Sequence, residues 1–180
     1  MIRLMADLET TGTQAGCCIL SIALVPFLAE SPLESFYERI SHRLSLDAGF
    51  TDDHDTLLWW DKQKPSVQEE AFSGIRSPYS VLESMVAYCQ TLGEPKDIEL
   101  WGNGKDFDNV ILAAAFKKLG IKQPWHYRNN RCYRDLAAYY PAVPRVDPEI
   151  PHHALYDASA QALHASQIIT QARRGMPPVF

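Results

Sequence analysis

The sequence predicts an α/β domain on a mixed five-stranded sheet, with its first three strands antiparallel and helices on both faces. Three strand-like segments follow one another before any long helix, and helical and strand-like segments then alternate to the end. A chain of 180 residues with 46% hydrophobic content can also bury roughly 70% of its unfolded surface, which supports a proper core. No repeat, low-complexity run or linker divides the chain, so residues 1–180 read as a single domain.

Residues 2–8 are short, apolar and bounded by a Thr-Thr-Gly turn, which suits a central strand covered on both sides. Residues 17–27 are rich in aliphatic and β-branched side chains and form the second strand, at a spacing that permits a hairpin. Residues 35–40 alternate in polarity and form the third. An Asp or Thr cap leads into a short helix over 55–60, and Pro65 starts another turn. Ser77 and Pro78 are an N-cap and first-turn pair, followed at helical spacing by Val81, Leu82, Met85, Val86, Cys89 and Leu92 up to Gly93. Residues 98–101 are a fourth strand, Gly102-Asn103-Gly104 a turn, and 106–119 a helix ended by Gly120. A fifth strand is expected near 131–134. Pro141, Pro144, Pro148 and Pro151 mark an extended connector before the last helix, 155–174, closed by Gly175 and Pro177.

Composition excludes several classes. The formal charge is −5, and the longest apolar run, residues 17–29, is broken by Ser21 and Pro26 and falls short of the ~20 residues that cross a bilayer. No membrane partner is expected. Asp7 precedes any apolar stretch of a signal peptide, which gives the expectation of an uncleaved cytoplasmic protein. Four cysteines without a C-x-x-C pair indicate neither a disulfide framework nor a structural zinc, and Cys17 and Cys18 read as small buried hydrophobes. There is no Gly-x-Ser-x-Gly elbow and no Gly-Lys-Ser/Thr phosphate loop.

Residues 117–145 hold seven basic residues and one acid, a net +6 interleaved with Trp125, Tyr127, Tyr133, Tyr139 and Tyr140. That composition suits a surface tracking a nucleic-acid backbone, and equally a solvated loop with some core aromatics.

Chemistry concentrates at three places. Asp7 and Glu9, two apart at a strand end, present both carboxylates to one face, where a hard divalent cation relieves their repulsion; the same pair also ends ordinary strands. Phe107-Asp108 opens a helix, where a carboxylate gains from the positive helix end. Asp106 is the better capping candidate, which leaves Asp108 free to point elsewhere. His152 and His153 lie just before Asp157 in the first turn of the last helix. A loop imidazole there, titrating near neutral pH, suits a general base, and equally these are surface histidines beside a helix-start acid.

Taken together, Asp-x-Glu-Thr on the first strand, Phe-Asp opening a middle helix and His-x-x-x-x-Asp opening the last resemble the three motifs of the DEDDh branch of the RNase H-like 3'-5' exonucleases (the RNase T and DnaQ-like superfamily), in order over nearly the whole chain. The run Leu57-Leu58-Trp59-Trp60 before Lys64-Pro65-Ser66, and Arg134-Asp135, are similar to the small phage-type and mycobacterial RNase T-like exonucleases. The resemblance implies an RNase H-like fold and a site for two Mg2+ or Mn2+. Asp7, Glu9 and Asp157 would bind the first ion, Asp7 would bridge to the second, and Asp108 would act mainly through a bound water. It implies His152 as the base, the five-residue offset to Asp157 favouring it over His153, and Thr10 and the backbone near Gly12 lining the terminal-nucleotide pocket. Asn103 also fits the pattern.

Arg131 and Arg134 are expected phosphate contacts. Of Trp59 and Trp60, one could stack on a base and the other anchor its helix, or both could pack in the core. The partner implied is single-stranded DNA or RNA with a free 3' end, released as nucleoside 5'-monophosphates, and the resemblance leaves room for a homodimer. A polymerase-bound proofreading subunit is disfavoured by a chain ending at Phe180, soon after the last helix. A silent nucleic-acid-binding scaffold is disfavoured because no acid is missing, and an RNase H-like endonuclease by the His-x-x-x-x-Asp spacing.

Overall fold

A computed structural model describes residues 1–28, 33–104 and 106–179. Ala29, at the end of the longest apolar run, and Phe180 lie outside the described residues. Five strands form one sheet: β1 (Ile2–Thr10), β2 (Ile19–Phe27), β3 (Phe36–Arg39), β4 (Ile98–Gly102) and β5 (Asn130–Cys132), in the order β3-β2-β1-β4-β5. β2 runs antiparallel to both β1 and β3, while β4 is parallel to β1 and β5 parallel to β4. The described helices are α1 (His42–Asp47), α2 (His54–Trp60), α3 (Pro65–Phe72), α4 (Pro78–Leu92), α5 (Asp108–Lys118), α6 (Tyr133–Tyr139) and α7 (Ala154–Arg173). None is long and apolar enough to cross a membrane.

β1 lies in the middle of the sheet, and its period of two divides the core. Leu4, Ala6 and Leu8 join the cluster containing Val81, Leu82 and Met85 of α4 and Ile111, Leu112 and Phe116 of α5. Met5, on the other face, joins Ala23, Trp101 and the alanines of α7. Those alanines, Ala154, Ala158, Ala162 and Ala165, form a stripe at helical spacing, each 3% exposed or less. With alanines along most of this face, α7 lies close against β1 and β2.

Two short helices were not expected. Ser41 caps α1 through its Oγ, which accepts from Leu44 N at 3.3 Å, in a segment too short to show a periodic stripe. α6 takes over Tyr133 and Arg134, which were expected to extend the fifth strand. Tyr133 is buried and its hydroxyl meets His164 Nδ1 of α7 at 2.8 Å, so contact with α7 overrides the strand propensity of the sequence around it. The second strand begins at Ile19 rather than Cys17, because Cys17 pairs in an isolated bridge with Thr51.

Replacing Ala158 by Leu overpacks the contact between α7 and the sheet. The expected cost is ~1–3 kcal/mol, lowering Tm by roughly 2–4 °C per kcal/mol, as thermal unfolding followed by circular dichroism would read. An unchanged Tm would mean that α7 is not seated this closely.

Candidate active site

β1 delivers two carboxylates to one place. Asp7 pairs across to Ala23 and Glu9 to Ser21, so both share with Met5 the face that meets α7. α7 answers with Asp157 in its first turn. Asp7, Glu9 and Asp157 each offer a carboxylate oxygen, and the three atoms lie within 4.8 Å of one another. Asp157 Oδ2 also accepts the backbone N–H of His153 at 3.1 Å, which ties the carboxylate to its own helix start.

Asp108 comes from the parallel half of the sheet. It is 2% exposed at the start of α5, and Gly104 N–H points at its Oδ2 across 3.4 Å. Gly102, ending β4, is required beneath it: a Cβ there would lie 2.9 Å from Asp108 Oδ2 and 2.5 Å from Asn109 Oδ1. Asn109 donates to Leu100 O at 3.0 Å and to Asn130 Oδ1 at 3.1 Å, fastening the helix start to β4 and β5. Asp106 does not cap this helix as expected. The helix begins later, its N-cap is Phe107 without a side-chain cap bond, and Asp108 itself collects the loop N–H groups of Gly104 and Asn103. Asn103 thus enters the site through its backbone.

Crowding four acids at the end of a sheet raises their proton affinity. Removal from water is the main cause for Asp7, held well above the ordinary carboxylate range, with the charges of Asp108, Glu9 and Asp157 adding to it. Burial likewise pushes Glu9 up to about 8, with Asp157 and Asp108 contributing. Burial raises Asp108 to about 6 against the opposing backbone N–H groups, and raises Asp157 too. A donor set made only of closely spaced carboxylate oxygens fits hard divalent cations such as Mg2+ or Mn2+.

The two adjacent histidines face different neighbours. His153 stacks on Tyr37, with centroids 4.9 Å apart, and its Nε2 is 3.5 Å from Glu70 Oε1. Glu70 is itself held by Tyr37 OH at 2.8 Å and by Arg39 Nη1 at 2.9 Å. His152 is exposed and adopts the left-handed backbone (φ 61°), a conformation that costs a non-glycine residue about 1 kcal/mol or more. Its ring meets Trp59 edge-on, with centroids 4.8 Å apart.

The tryptophans divide their work. Trp60 is 2% exposed and donates from Nε1 to Thr10 O at 2.8 Å, anchoring α2 to the end of β1. Trp59 is 39% exposed. Both border an open cleft of about 580 Å³ that begins at Glu9 and runs past Thr10, Gly12 and Phe107. Thr10 Oγ1 donates to Gly12 O at 2.7 Å, fixing the turn at its floor, and Asp53 caps α2 by accepting from Thr56 N at 2.9 Å.

The basic stretch does not form one surface. Arg131 was expected at phosphate, yet its guanidinium pairs with Glu99 at 3.0 Å and donates to the carbonyls of Arg128 and Asn130. Lys118 sits over Phe50, and Trp125 and Tyr133 are buried. The strands and helices between 117 and 145 carry these residues to different sides of the sheet. Arg134 is exposed and, with Gly104 and Phe107, lines a cavity of about 250 Å³ beside the start of α5.

Two contributors were missed in the sequence. Gln161 Nε2 donates to Asp7 Oδ1 at 2.8 Å, while its Oε1 is buried without a hydrogen-bond partner among the described residues. Its place one turn after Asp157 was the available signal. Phe107 was noticed only as a neighbour of Asp108, and nothing in its spacing announced that it borders both cavities.

The fold is that of the 3'-5' exonucleases with an RNase H-like sheet. The chain belongs to the Rv2179c-like 3'-5' exoribonuclease domain family, whose model matches residues 2–169. No curated protein matches it at a significant level. Among solved structures it is similar to the nuclease domain of 3'hExo, a DEDDh family member bound to rAMP, with TM-score 0.65 and 12% identity over 94% of this chain and 92% of that one. E. coli exonuclease I in complex with a 5cy-dA13 oligonucleotide is similar at TM-score 0.60 and 15% identity, covering 94% of this chain and 40% of that one. S. pombe Pop2p in its Mg2+ and Mn2+ bound form follows at TM-score 0.54 and 15% identity, over 96% and 83%. The chain spans 64% of the cell-death related nuclease 4 chain and less than half of exonuclease I.

The raised acids predict an unusual pH dependence without metal. Glu9, ordinarily near 4.5 and here about 8, binds its proton more tightly folded than unfolded. Its contribution to stability is therefore complete at low pH and lost as pH rises through about 8. In chelator, Glu9→Gln should gain Tm relative to wild type between about pH 5 and about pH 8, while the Tm increase on adding Mg2+ should be larger in wild type. A difference in Tm that is flat with pH contradicts this.

Proposed function

We propose that the chain is a two-metal-dependent 3'-5' exonuclease that removes nucleotides from the free 3' end of single-stranded nucleic acid and releases nucleoside 5'-monophosphates. The observation that carries this reading is the convergence of Asp7, Glu9 and Asp157 within 4.8 Å, with Glu9 also lining a cleft sized for a nucleotide. Asp7, Glu9 and Asp157, with Asp108 beside them, would hold two Mg2+ or Mn2+. Bound, the ions supply a nucleophilic water at neutral pH and offset the charge that grows on the phosphate. Four crowded acids, two of them buried, weaken a fold that leaves them unneutralised, which argues against a silent scaffold.

The remaining steps belong to the protein. His152 takes the proton of the attacking water, and Trp59, whose ring meets His152 at the cleft, brings the terminal base within reach. Cleavage of the bond between phosphorus and the 3' oxygen leaves the phosphate on the departing nucleotide. Trp59 offers a stacking face, and the backbone around Thr10 and Gly12 together with Phe107 would enclose the terminal sugar and base. Arg134 would meet a phosphate arriving beside the start of α5. The family's description favours RNA, whose 2'-hydroxyl would be sensed in the pocket around Thr10.

A 5'-labelled single strand incubated with Mg2+ or Mn2+ should shorten in a ladder from its 3' end, and chelator should stop it. Matched RNA and DNA strands run side by side rank the substrates. A strand with a blocked 3' end that is degraded all the same would refute the polarity. His152→Ala should lower kcat by ~10²–10⁴ with little change in KM, and His153→Ala much less. The reverse ranking would move the base to His153.

A further inference from the structure

Beyond the acidic site, a second group of donors of different chemistry stands at the turn where β1 leads into β2. The Cys18 thiol, the His42 imidazole and the Asp52 carboxylate each offer one atom, and the three lie within 4.8 Å of one another. They come from three separate segments: Cys18 just before β2, His42 opening α1, and Asp52 in the stretch between α1 and α2. Backbone bonds tie the Cys18 and Asp52 segments together. Cys18 N–H donates to Thr51 O at 2.9 Å, Thr11 N–H to Cys18 O at 3.0 Å, and Asp53 N–H to Thr11 O at 2.8 Å.

We propose that Cys18, His42 and Asp52 form a binding site for a zinc-class divalent cation, separate from the acidic cluster. The donor set is sulfur, nitrogen and oxygen, which selects a borderline-soft ion such as Zn2+ over Mg2+. A thiolate and a carboxylate together balance a double positive charge. Three protein donors leave a fourth tetrahedral position for water on the Asp52 side, where the carboxylate is partly exposed. The outer contacts are those of a held site. Thr11 Oγ1 donates to Asp52 Oδ1 at 2.6 Å, and the His42 ring is set edge-on against Phe72 with centroids 5.4 Å apart.

His42 Nε2 lies 2.8 and 3.0 Å from the two Asp52 oxygens. Burial, reinforced by the Asp52 charge, pushes the Cys18 thiol up to about 12, so it holds its proton until a cation displaces it. Binding thus releases the thiol proton, places the imidazole Nε2 lone pair on the ion, and parts His42 from Asp52 to the ~3.3–3.8 Å that two zinc bonds of ~2.0–2.3 Å require. The occupied site clamps the segment that ends in Asp53, the cap of α2, and so fixes the helix bearing Trp59 and Trp60.

Cobalt is the direct probe, because a thiolate on Co2+ gives a near-ultraviolet charge-transfer absorption that carboxylate ligands do not. The full chain, stripped with chelator and supplied with saturating Mg2+ to fill the acidic site, should take up one equivalent of Co2+ with that band, and Zn2+ should displace it. Cys18→Ser and His42→Ala should each abolish the band while keeping the circular dichroism of the folded protein, and Cys17→Ser should retain it. Should Cys18→Ser fail to fold, the partly exposed His42 carries the test alone. A folded wild-type protein without the band, or a band that survives His42→Ala, overturns the proposal.

Discussion

Like charges held close together at the end of a sheet are the constraint around which this protein is organised. Asp7 and Glu9 share a strand face with apolar neighbours, and Asp157 approaches from the helix packed against that face. Bringing such groups out of water without a counter-charge is unfavourable, and the protein meets part of that cost by letting them hold protons. Each neighbouring feature serves the crowding. Gly102 removes the side chain that would keep Asp108 away, Gln161 donates to Asp7, and the N–H of His153 fixes Asp157. A cation held by such a cluster would thereby also add to stability.

Much of this was legible in the sequence because it is periodic or local. The two-residue spacing of Asp7 and Glu9 at the end of the first strand placed both acids on one face, the apolar stripe after Ser77-Pro78 defined α4, and Gly93 and Gly120 marked ends. Failures came where long-range contacts overrode local preference. Tyr133 looks like part of a strand until His164, thirty-one residues later, claims its hydroxyl. Arg131 and Arg134 are three apart in sequence, yet one is bound to Glu99 while the other lines a cavity beside α5. Net charge along a segment says nothing of this, because the sheet order that separates the residues is a tertiary property. Cys18 read as a small hydrophobe, which its burial supports; His42 and Asp52 are distant in sequence and gave no hint of meeting it.

The paired histidines show how backbone conformation can assign roles that spacing leaves open. His153 is built into an aromatic and ionic frame with Tyr37, Glu70 and Arg39, and it also begins α7. Its neighbour His152 sits in the left-handed region, a strained state that persists only when surroundings enforce it. One histidine is thus a fixed support and the other a projecting group beside Trp59. The same division applies to the tryptophan pair, where Trp60 is committed to Thr10 and Trp59 is left at the cleft.

The alanine stripe of α7 has a dynamic consequence. A methyl group has no rotamers to exchange, so the contact between α7 and β1 lacks the torsional slack that leucines or methionines would introduce. Asp157 and Gln161 ride on a helix that has almost no alternative seat. The separation of the carboxylates is therefore set by backbone against backbone, and little entropy would remain to be lost on binding an ion there.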